Sequence, residues 1–514
     1  MSGASRTIAP LAVLCLFACQ SPSAPSDARS DRDATKIVDG ALDAPQKTDL
    51  RPDAPQLADA RLPDQNTCQF PPPPQADPWS LRHPSAGFGG ITTEKSGVHT
   101  DVFLKSPKGT ARIGARLNWG GTVVFFGLSN DKNSNVIDAN DTGRELQIAL
   151  YDPTRRHQPC AGKGTCSGST QKVCGASITY LGWNPVQGGD ECGHGAAVRS
   201  HKRVGDALRL EIQPIQWNPD WDAPDCRKSA CPKNGVPVAV TYTMELRFVS
   251  EHVVEVMTQV SSQEKISHPT TDQEWPTLYV SHGKGGPDLP LLIDAAAKTI
   301  AINTPANDNF FVQNFSSSRP WVAFQNTKKT YGVGLGMDQG LTGFQGWRGD
   351  GNNAPYFHNV RSVVRFGLNA GAVVRGISYL ALGSYATVKA DLEAVFRKRP
   401  PFGTLDVPAA GPVSVKANTP ISFSGWVLDS TPIAEVELHL DGKLLRKASV
   451  NGSRPDVCAV YPGYAGCAAK KVGFSLPIAL SGLDPKCAHR LEVFAKDSEG
   501  NRSLLGARKL IPSS

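Results

Sequence analysis

From Val98 onward the apolar and polar positions alternate with a period of two, the pattern that puts one face of a strand on a core and the other in water. ARIGARLNW (111–119), a Gly-Gly pair and TVVFFGL (122–128) read as a hairpin, with Gly120 and Gly121 supplying the positive φ of a tight turn. ALRLEIQPIQW (207–217), VAVTYTMELRFV (238–249), HVVEVMTQVS (252–261), KTIAIN (298–303), TYGVGLGM (330–337), SVVRFGL (362–368) and GAVVRGISYLAL (371–382) continue the series. They alternate or are rich in β-branched residues, and only DLEAVFRKR (391–399) reads as helix. The pattern predicts an all-β chain dominated by one large antiparallel domain.

Proline and glycine in PPFGTLDVPAAGP (400–412) mark a boundary. Short strands then follow at regular spacing: VSVKA (413–417), ISFSGWVLD (421–429), AEVELHLDG (434–442), KKVGFSLPI (470–478) and HRLEVFAKDSEG (489–500). That rhythm suggests a sandwich of the immunoglobulin kind. GWVLD (425–429), VELHLDGK (436–443), RPDVCAVYPG (454–463), VGF (472–474) and AKDSEG (495–500) resemble the Ig-like modules appended to bacterial surface enzymes and adhesins. The resemblance makes these phrases turns and packing residues, Arg454 and Asp456 included.

The first residues carry Arg6 and an apolar run, Ile8 to Ala18, too short for a permanent transmembrane helix, so they read as a secretory signal. Leu16, Phe17, Ala18 and Cys19 resemble a bacterial lipobox, which makes Cys19 the expected lipidation site; plain secretion is the alternative, and Phe17 departs from the usual small residue. Gln20 to about Asn66 is Ala, Asp, Pro, Ser and Arg without an aromatic residue, a composition that cannot bury enough apolar surface to offset ordering. The expected organisation is a signal at 1–19, a disordered tether at 20–66, a β-supersandwich at 67–399 and an Ig-like sandwich at 404–514. The expected address is the bacterial cell envelope, with the membrane met only through the lipid.

Charge and cysteines narrow the function. A net charge of +7 is scattered, without a basic cluster interleaved with aromatics, which argues against nucleic acid. Twelve cysteines leave ten after Cys15 and Cys19, an even number on an oxidising route, which favours disulfides. No C-x-x-C pair occurs, so zinc is the weaker reading. Cys458 and Cys467 bracket a short loop that a disulfide can close. DKNSNVIDAND (131–141) has oxygen ligands at alternate positions, but Val136 stands where an EF-hand needs glycine and Thr142 where it needs glutamate. No cofactor is expected, with incidental calcium left open. No G-x-S-x-G elbow, P-loop or H-E-x-x-H motif is present.

Three polar stretches interrupt the strand pattern: IDANDTGRELQIALYDP (137–153), YLGWNPVQGGDECGHGAAVRSH (180–201) and SHPTTDQEWPTLYVSHG (267–283). With the glycine hairpin and RPWVAFQNTKKTYGVGLGM (319–337), they resemble poorly characterised bacterial secreted proteins related to the galactose-mutarotase-like β-supersandwich. That fold is shared by sugar epimerases and by domains of polysaccharide lyases and glycoside hydrolases, so the resemblance implies an extracellular polysaccharide or oligosaccharide as partner. The residues agree with it, because sugar sites use planar amides, carboxylates and guanidinium groups against hydroxyls, and aromatic faces against C–H surfaces. Asp138, Asp141, Arg144, Gln147, Trp183, Asn184 and Gln187 are the expected binding set.

Glu274, Asp190, Tyr151 and His201 are the catalytic candidates. Glu274 stands beside Trp275, and an apolar neighbour would suit a general acid. A glycoside hydrolase needs a carboxylate pair, Glu274 with Asp190 or Asp141. A lyase on uronate polymers needs a base, Tyr151 or His201, and groups to neutralise the substrate acid, Arg144 with Gln147 or Asn184. A non-catalytic adhesive or carbohydrate-binding protein is the third class. Strand parity puts Arg144 with Leu146 and Ile148, and Glu145, Gln147 and Tyr151 on the other face, which separates Arg144 from Gln147 unless a bulge intervenes. Asp141 also suits an Asx turn, and His194 lies between glycines where it can approach a ligand.

Overall fold

The computed structural model describes residues 82–152, 154–155, 182–217, 219, 233–282, 286–307, 310–350 and 356–513. The expected signal, Cys19, the tether, and Cys68, Cys160, Cys166, Cys174, Cys226 and Cys231 lie outside the described residues. The chain is all-β, built from antiparallel sheets packed face to face.

The larger sheet runs in the order Ile91–Ser96, His99–Lys105, Ala111–Arg116, Thr122–Leu128, Leu146–Ala149, His268–Val280, Phe357–Leu368, Leu341–Gly349, Phe310–Phe315, Thr304–Asn307. Pro185–Val186 and Ile215–Gln216 extend it off the Leu146–Ala149 strand. The facing sheet runs Leu291–Asp294, Trp321–Gln325, Gly332–Met337, Val373–Leu382, Val253–Ser262, Val240–Phe248, Ala207–Gln213, Ala197–Val204. One core joins them, with Ile113, Phe126, Leu146, Trp275, Leu278 and Val360 from one side and Leu210, Tyr242, Val256, Leu335 and Leu380 from the other. Trp275 is 2% exposed, and its indole fills the space that a side chain at Gly376 of the facing sheet would occupy.

The strand series predicted from alternation is present, with local differences. The hairpin strand stops at Arg116, Leu117–Trp119 form a single 3-10 turn, and Gly120 and Gly121 both adopt positive φ (54° and 65°). A Cβ at Gly120 would sit 1.8 Å from the Gln187 carbonyl, so that position needs glycine for space as well as φ. KTIAIN is not a strand: only Thr299 bridges, to Ile293, because Leu291–Asp294 already turns back through Ala297 at positive φ. The helix starts earlier than expected, at Tyr385–Phe396, where the Ser384 side chain accepts from Thr387 N at 3.1 Å and caps it.

The C-terminal strands form a second, smaller pair of sheets. One runs Phe402–Val407, Pro420–Leu428, Lys471–Ala479, Gly452–Ser453; the other runs Pro412–Lys416, Arg502–Ser513, His489–Asp497, Ile433–Leu440, Lys443–Ala448, with its first two strands parallel. Phe423, Val427, Leu438, Phe474, Leu491 and Leu510 make a core of their own. RPDVCAVYPG contains a short helix, Pro455–Val460, which the strand rhythm conceals. The expected Cys458–Cys467 disulfide is present with a Cα–Cα distance of 5.1 Å, and Cys192 and Cys487 are also disulfide-bonded.

The two pairs of sheets are fastened together. The buried Tyr464 hydroxyl accepts from Leu341 N at 3.2 Å across the two pairs, while Arg399 and Asp338, both buried, make two hydrogen bonds of 2.7 Å that hold the segment leading into the second pair. Asp429 sits at the same junction, where its neighbour Ser430 donates through Oγ to Phe396 O at 3.3 Å. Burial, reinforced by Asp497, pushes the Asp429 carboxyl up to about 7. A carboxyl whose folded value is raised binds its proton more tightly when folded, so stability declines as pH rises from about 4 to about 7. We expect Asp429→Asn to flatten that part of the melting-temperature profile; a wild-type slope left intact in the variant would contradict the assignment.

Candidate functional site

The centre of the site is on the outward face of the larger sheet, at Glu274. In His268–Val280 the inward residues Trp275, Leu278 and Val280 belong to the core, which turns the intervening residues outward. A register shift between Glu274 and Thr277 reverses the alternation locally and keeps both on the outer face. Glu274 Oε1 accepts from the Tyr151 hydroxyl at 2.5 Å and pairs with Arg361 Nη1 at 2.5 Å, while Oε2 accepts from Thr277 Oγ1 at 2.5 Å. Arg361 also donates to Gln345 Oε1 at 3.2 Å, which accepts from the Trp347 indole at 2.5 Å. Gln345 in turn donates to Asn314 at 2.7 Å.

Cross-strand register explains the convergence. Thr277 stands opposite Gln147 on one side and Arg361 on the other, and Arg361 stands opposite Gln345. Residues directly opposite share a face, so Gln147, Thr277, Arg361 and Gln345 form one row. The next row holds Tyr279, Asn359 and Trp347. Glu145 is on its other flank, its carbonyl accepting from Tyr279 N at 3.2 Å. Tyr279, Phe310, Trp347 and Phe357 pack as a separate aromatic cluster on this face, and Arg361 lies 5.1 Å above the Trp347 ring.

The first polar stretch, residues 137–152, folds as a turn followed by a strand. Leu146–Ala149 pairs with His268–Val280, which brings Tyr151 to Glu274. Arg144 precedes the strand, its N–H donating to Asp141 O at 3.3 Å, so strand parity does not govern it. Its guanidinium pairs with Asp141 and lies 5.7 Å from the Phe357 ring, on the same face as Gln147. Asp141 also accepts from Gly143 N at 2.9 Å, the expected Asx turn. Burial pushes Asp138, which accepts from Asn140, up to about 6.

The remaining candidates lie elsewhere. Trp183 is 2% exposed and stacks on His268 at 3.7 Å, with its indole N–H donating to Glu264 at 3.1 Å, so its face is occupied by protein. His268 is itself held at 2.8 Å from Asp152 and 2.7 Å from Glu264. Asn184 donates to Leu150 O at 2.6 Å, which anchors the segment beside Tyr151. Gln187 donates to Gly120 O at 3.3 Å beneath the hairpin. Asp190 accepts from Cys192 N, His194 N and His194 Nδ1 at 2.7–3.0 Å and organises its own loop, with burial raising its carboxyl. His201 is exposed on Ala197–Val204, at the edge of the other sheet. The apolar neighbour expected for Glu274 points away from it, because Trp275 faces the core while three polar donors engage the carboxylate.

Arg361, Thr277, Gln345, Asn359 and the aromatic cluster were not among the residues singled out from sequence. Their signal is the alternation in FHNVRSVVRFGL, which places Asn359 and Arg361 opposite in facing to Val360. Among the described residues, no group of three or more His, Cys, Asp or Glu is placed to hold a metal ion, and DKNSNVIDAND supplies none.

No sequence-family model and no curated protein sequence matches the chain. Among solved structures it is similar to a putative aldose 1-epimerase from Klebsiella pneumoniae, at 12% identity over 60% of this chain and 87% of that one, with a TM-score of 0.32. It is similar to the Slr1438 protein of Synechocystis at 9% identity over 59% of this chain and 100% of that one, with a TM-score of 0.31. It is also similar to a polysaccharide lyase at 7% identity over 79% of this chain and 47% of that one, with a TM-score of 0.30. At these scores the likenesses carry no weight for activity.

The site's internal chemistry is testable without a ligand. Arg361→Ala leaves Glu274 buried without its cation and should cost about 3–5 kcal/mol, whereas Tyr151→Phe removes one hydrogen bond and should cost about 1 kcal/mol. Denaturant unfolding compares the two; equal losses would show that the ion pair does not organise the site.

Proposed function

We propose that the outer face of the larger sheet binds carbohydrate, centred on Tyr151, Glu274, Arg361 and Gln345. The observation that carries this reading is the Tyr151–Glu274–Arg361–Gln345 chain of hydrogen bonds. It brings a phenol, a carboxylate, a guanidinium and an amide together beside an aromatic cluster, the group types that hydrogen-bond sugar hydroxyls and pack on sugar C–H surfaces. Tyr151 and Gln345 are the partly exposed members, so they would meet the ligand first.

One observation favours a catalytic form of this reading. The Tyr151 hydroxyl hydrogen-bonds the carboxylate that also holds Arg361, so a phenolic oxygen and a guanidinium meet at one carboxylate oxygen. That arrangement suits eliminative cleavage of a uronate polymer. Tyr151, having passed its hydroxyl proton to Glu274, would take the proton next to the substrate carboxylate while Arg361 offsets that carboxylate's charge; the electron pair would form the C–C double bond and expel the glycosidic oxygen, which takes the proton from Tyr151. A hydrolase is less well served, since Asp190 is engaged by its own loop and Asp141 by Arg144.

We also propose that the chain is exported and anchored through Cys19, on the strength of the apolar run and the Ala18–Cys19 pair. Cys19→Ser should then move the protein from the membrane fraction to the soluble fraction, and unchanged fractionation would count against lipidation.

The ligand test is a polysaccharide panel read both by affinity and by ultraviolet absorbance of unsaturated products. Wild type should bind at least one glycan, and Gln345→Ala should weaken it about tenfold. If elimination occurs, Tyr151→Phe should abolish product while largely retaining affinity. Binding without product leaves a carbohydrate-binding protein; no binding to any glycan would sink the proposal.

A further inference from the structure

We propose that Glu145 and Asn359 form a second, buried polar subsite on the same face, which takes hydroxyl groups of a bound sugar residue. The inference rests on the carbohydrate reading above and extends it from the Tyr151–Glu274–Arg361 centre to the adjoining row of the sheet.

Both side chains are fully buried, at 0% exposure, and all four of their polar side-chain atoms lack a hydrogen-bond partner: Glu145 Oε1 and Oε2, Asn359 Oδ1 and Nδ2. Each such atom costs about 1–3 kcal/mol, and native structures usually satisfy buried polar groups with protein, water or ligand. The neighbouring row shows the contrast. Gln147 donates to Gly143 O at 3.1 Å and accepts from Gly188 N at 3.0 Å, Thr277 donates to Glu274, and Gln345 bonds Asn314, Arg361 and Trp347. Glu145 and Asn359 differ from Gln147, Thr277 and Gln345 in that every polar side-chain atom of each lacks a partner.

The two flank Tyr279. Asn359 is its direct cross-strand partner in Phe357–Leu368, and the Glu145 carbonyl accepts from Tyr279 N on the opposite side. All three side chains share the outer face, next to the row that carries Arg361. The chemistry selects the ligand class. Asn359 offers one acceptor and two donors in a single plane. Asp138, Asp141, Arg116 and Arg144 are the charged groups near Glu145; burial, followed by the two aspartates, holds its carboxyl well above the usual range, so it too can donate as well as accept. A hydroxyl group donates and accepts at one atom, so sugar hydroxyls on the two sides of Tyr279 satisfy both side chains, whereas an anion or a cation satisfies only half of each. The backbone at Gly188 closes over Glu145, since a Cβ there would lie 3.1 Å from Glu145 Oε1. Access thus requires the 187–190 segment to lift from Gln147, breaking the Gly188 N to Gln147 Oε1 bond.

Calorimetry and thermal melting on the full chain test this together, using the glycan that wild type binds in the panel. Asn359→Leu and Glu145→Leu remove unpartnered polar groups, so each should leave the melting temperature of the free protein unchanged or higher while weakening the glycan about tenfold. Glu145→Gln, which keeps a donor and an acceptor, should hold affinity within about threefold and shows that a poorly folded leucine variant is not the cause. Folded Asn359→Leu protein with wild-type affinity would overturn the subsite and leave the main site standing. Failure of wild type to bind any glycan would overturn both.

Discussion

Packing of the two large sheets fixes everything on the outer face. The inward residues of His268–Val280 lock into the facing sheet through Trp275, which fills the space left by Gly376, and through Leu278 and Val280. Once that face is committed, the alternate residues have one direction left, and the register shift after Glu274 decides which they are. A one-residue slip would carry Thr277 and Tyr279 into the core and dissolve both polar rows. The site is thus a by-product of core packing in the literal sense that the apolar residues aim the polar ones. Replacing a buried tryptophan by alanine costs about 3–5 kcal/mol, so the position of Glu274 is held by a large term.

Within that frame the polar rows differ in how completely they are satisfied. Around Glu274 the carboxylate, guanidinium, phenol and amide compensate one another, which makes a rigid centre. One row away, Glu145 and Asn359 are buried without compensation. Stability alone would favour apolar residues of similar shape at both positions. Groups that burden the free protein and are placed beside a polar centre are the expected signature of a surface shaped for a ligand's donors and acceptors.

The sequence disclosed the strands well because burial of one face is written as alternation, in VAVTYTMELRFV and HVVEVMTQVS above all. It disclosed half of the site: Tyr151 and Glu274 stood out because each is a polar residue in an unusual setting, and their meeting depends on strand order, which local pattern does not contain. Arg361 escaped for that reason, since its strand follows Glu274 by about eighty residues in sequence yet pairs with it directly. WNPVQGGD misled differently. Its polar residues resemble ligand-binding groups, but Asn184, Gln187 and Asp190 hold backbone atoms of their own loop and its neighbours, the work that irregular buried backbone requires. KTIAIN failed because β-branched content was read without the turn before it.

The measurement that bears most directly on the central claim is a crystal structure with a bound oligosaccharide, taken from whichever glycan the protein binds. The account predicts a sugar residue on the outer face of the larger sheet, with hydroxyls in hydrogen-bond reach of Tyr151 and Gln345. A sugar seated instead against His201 on the facing sheet, or on the C-terminal pair of sheets, would contradict it.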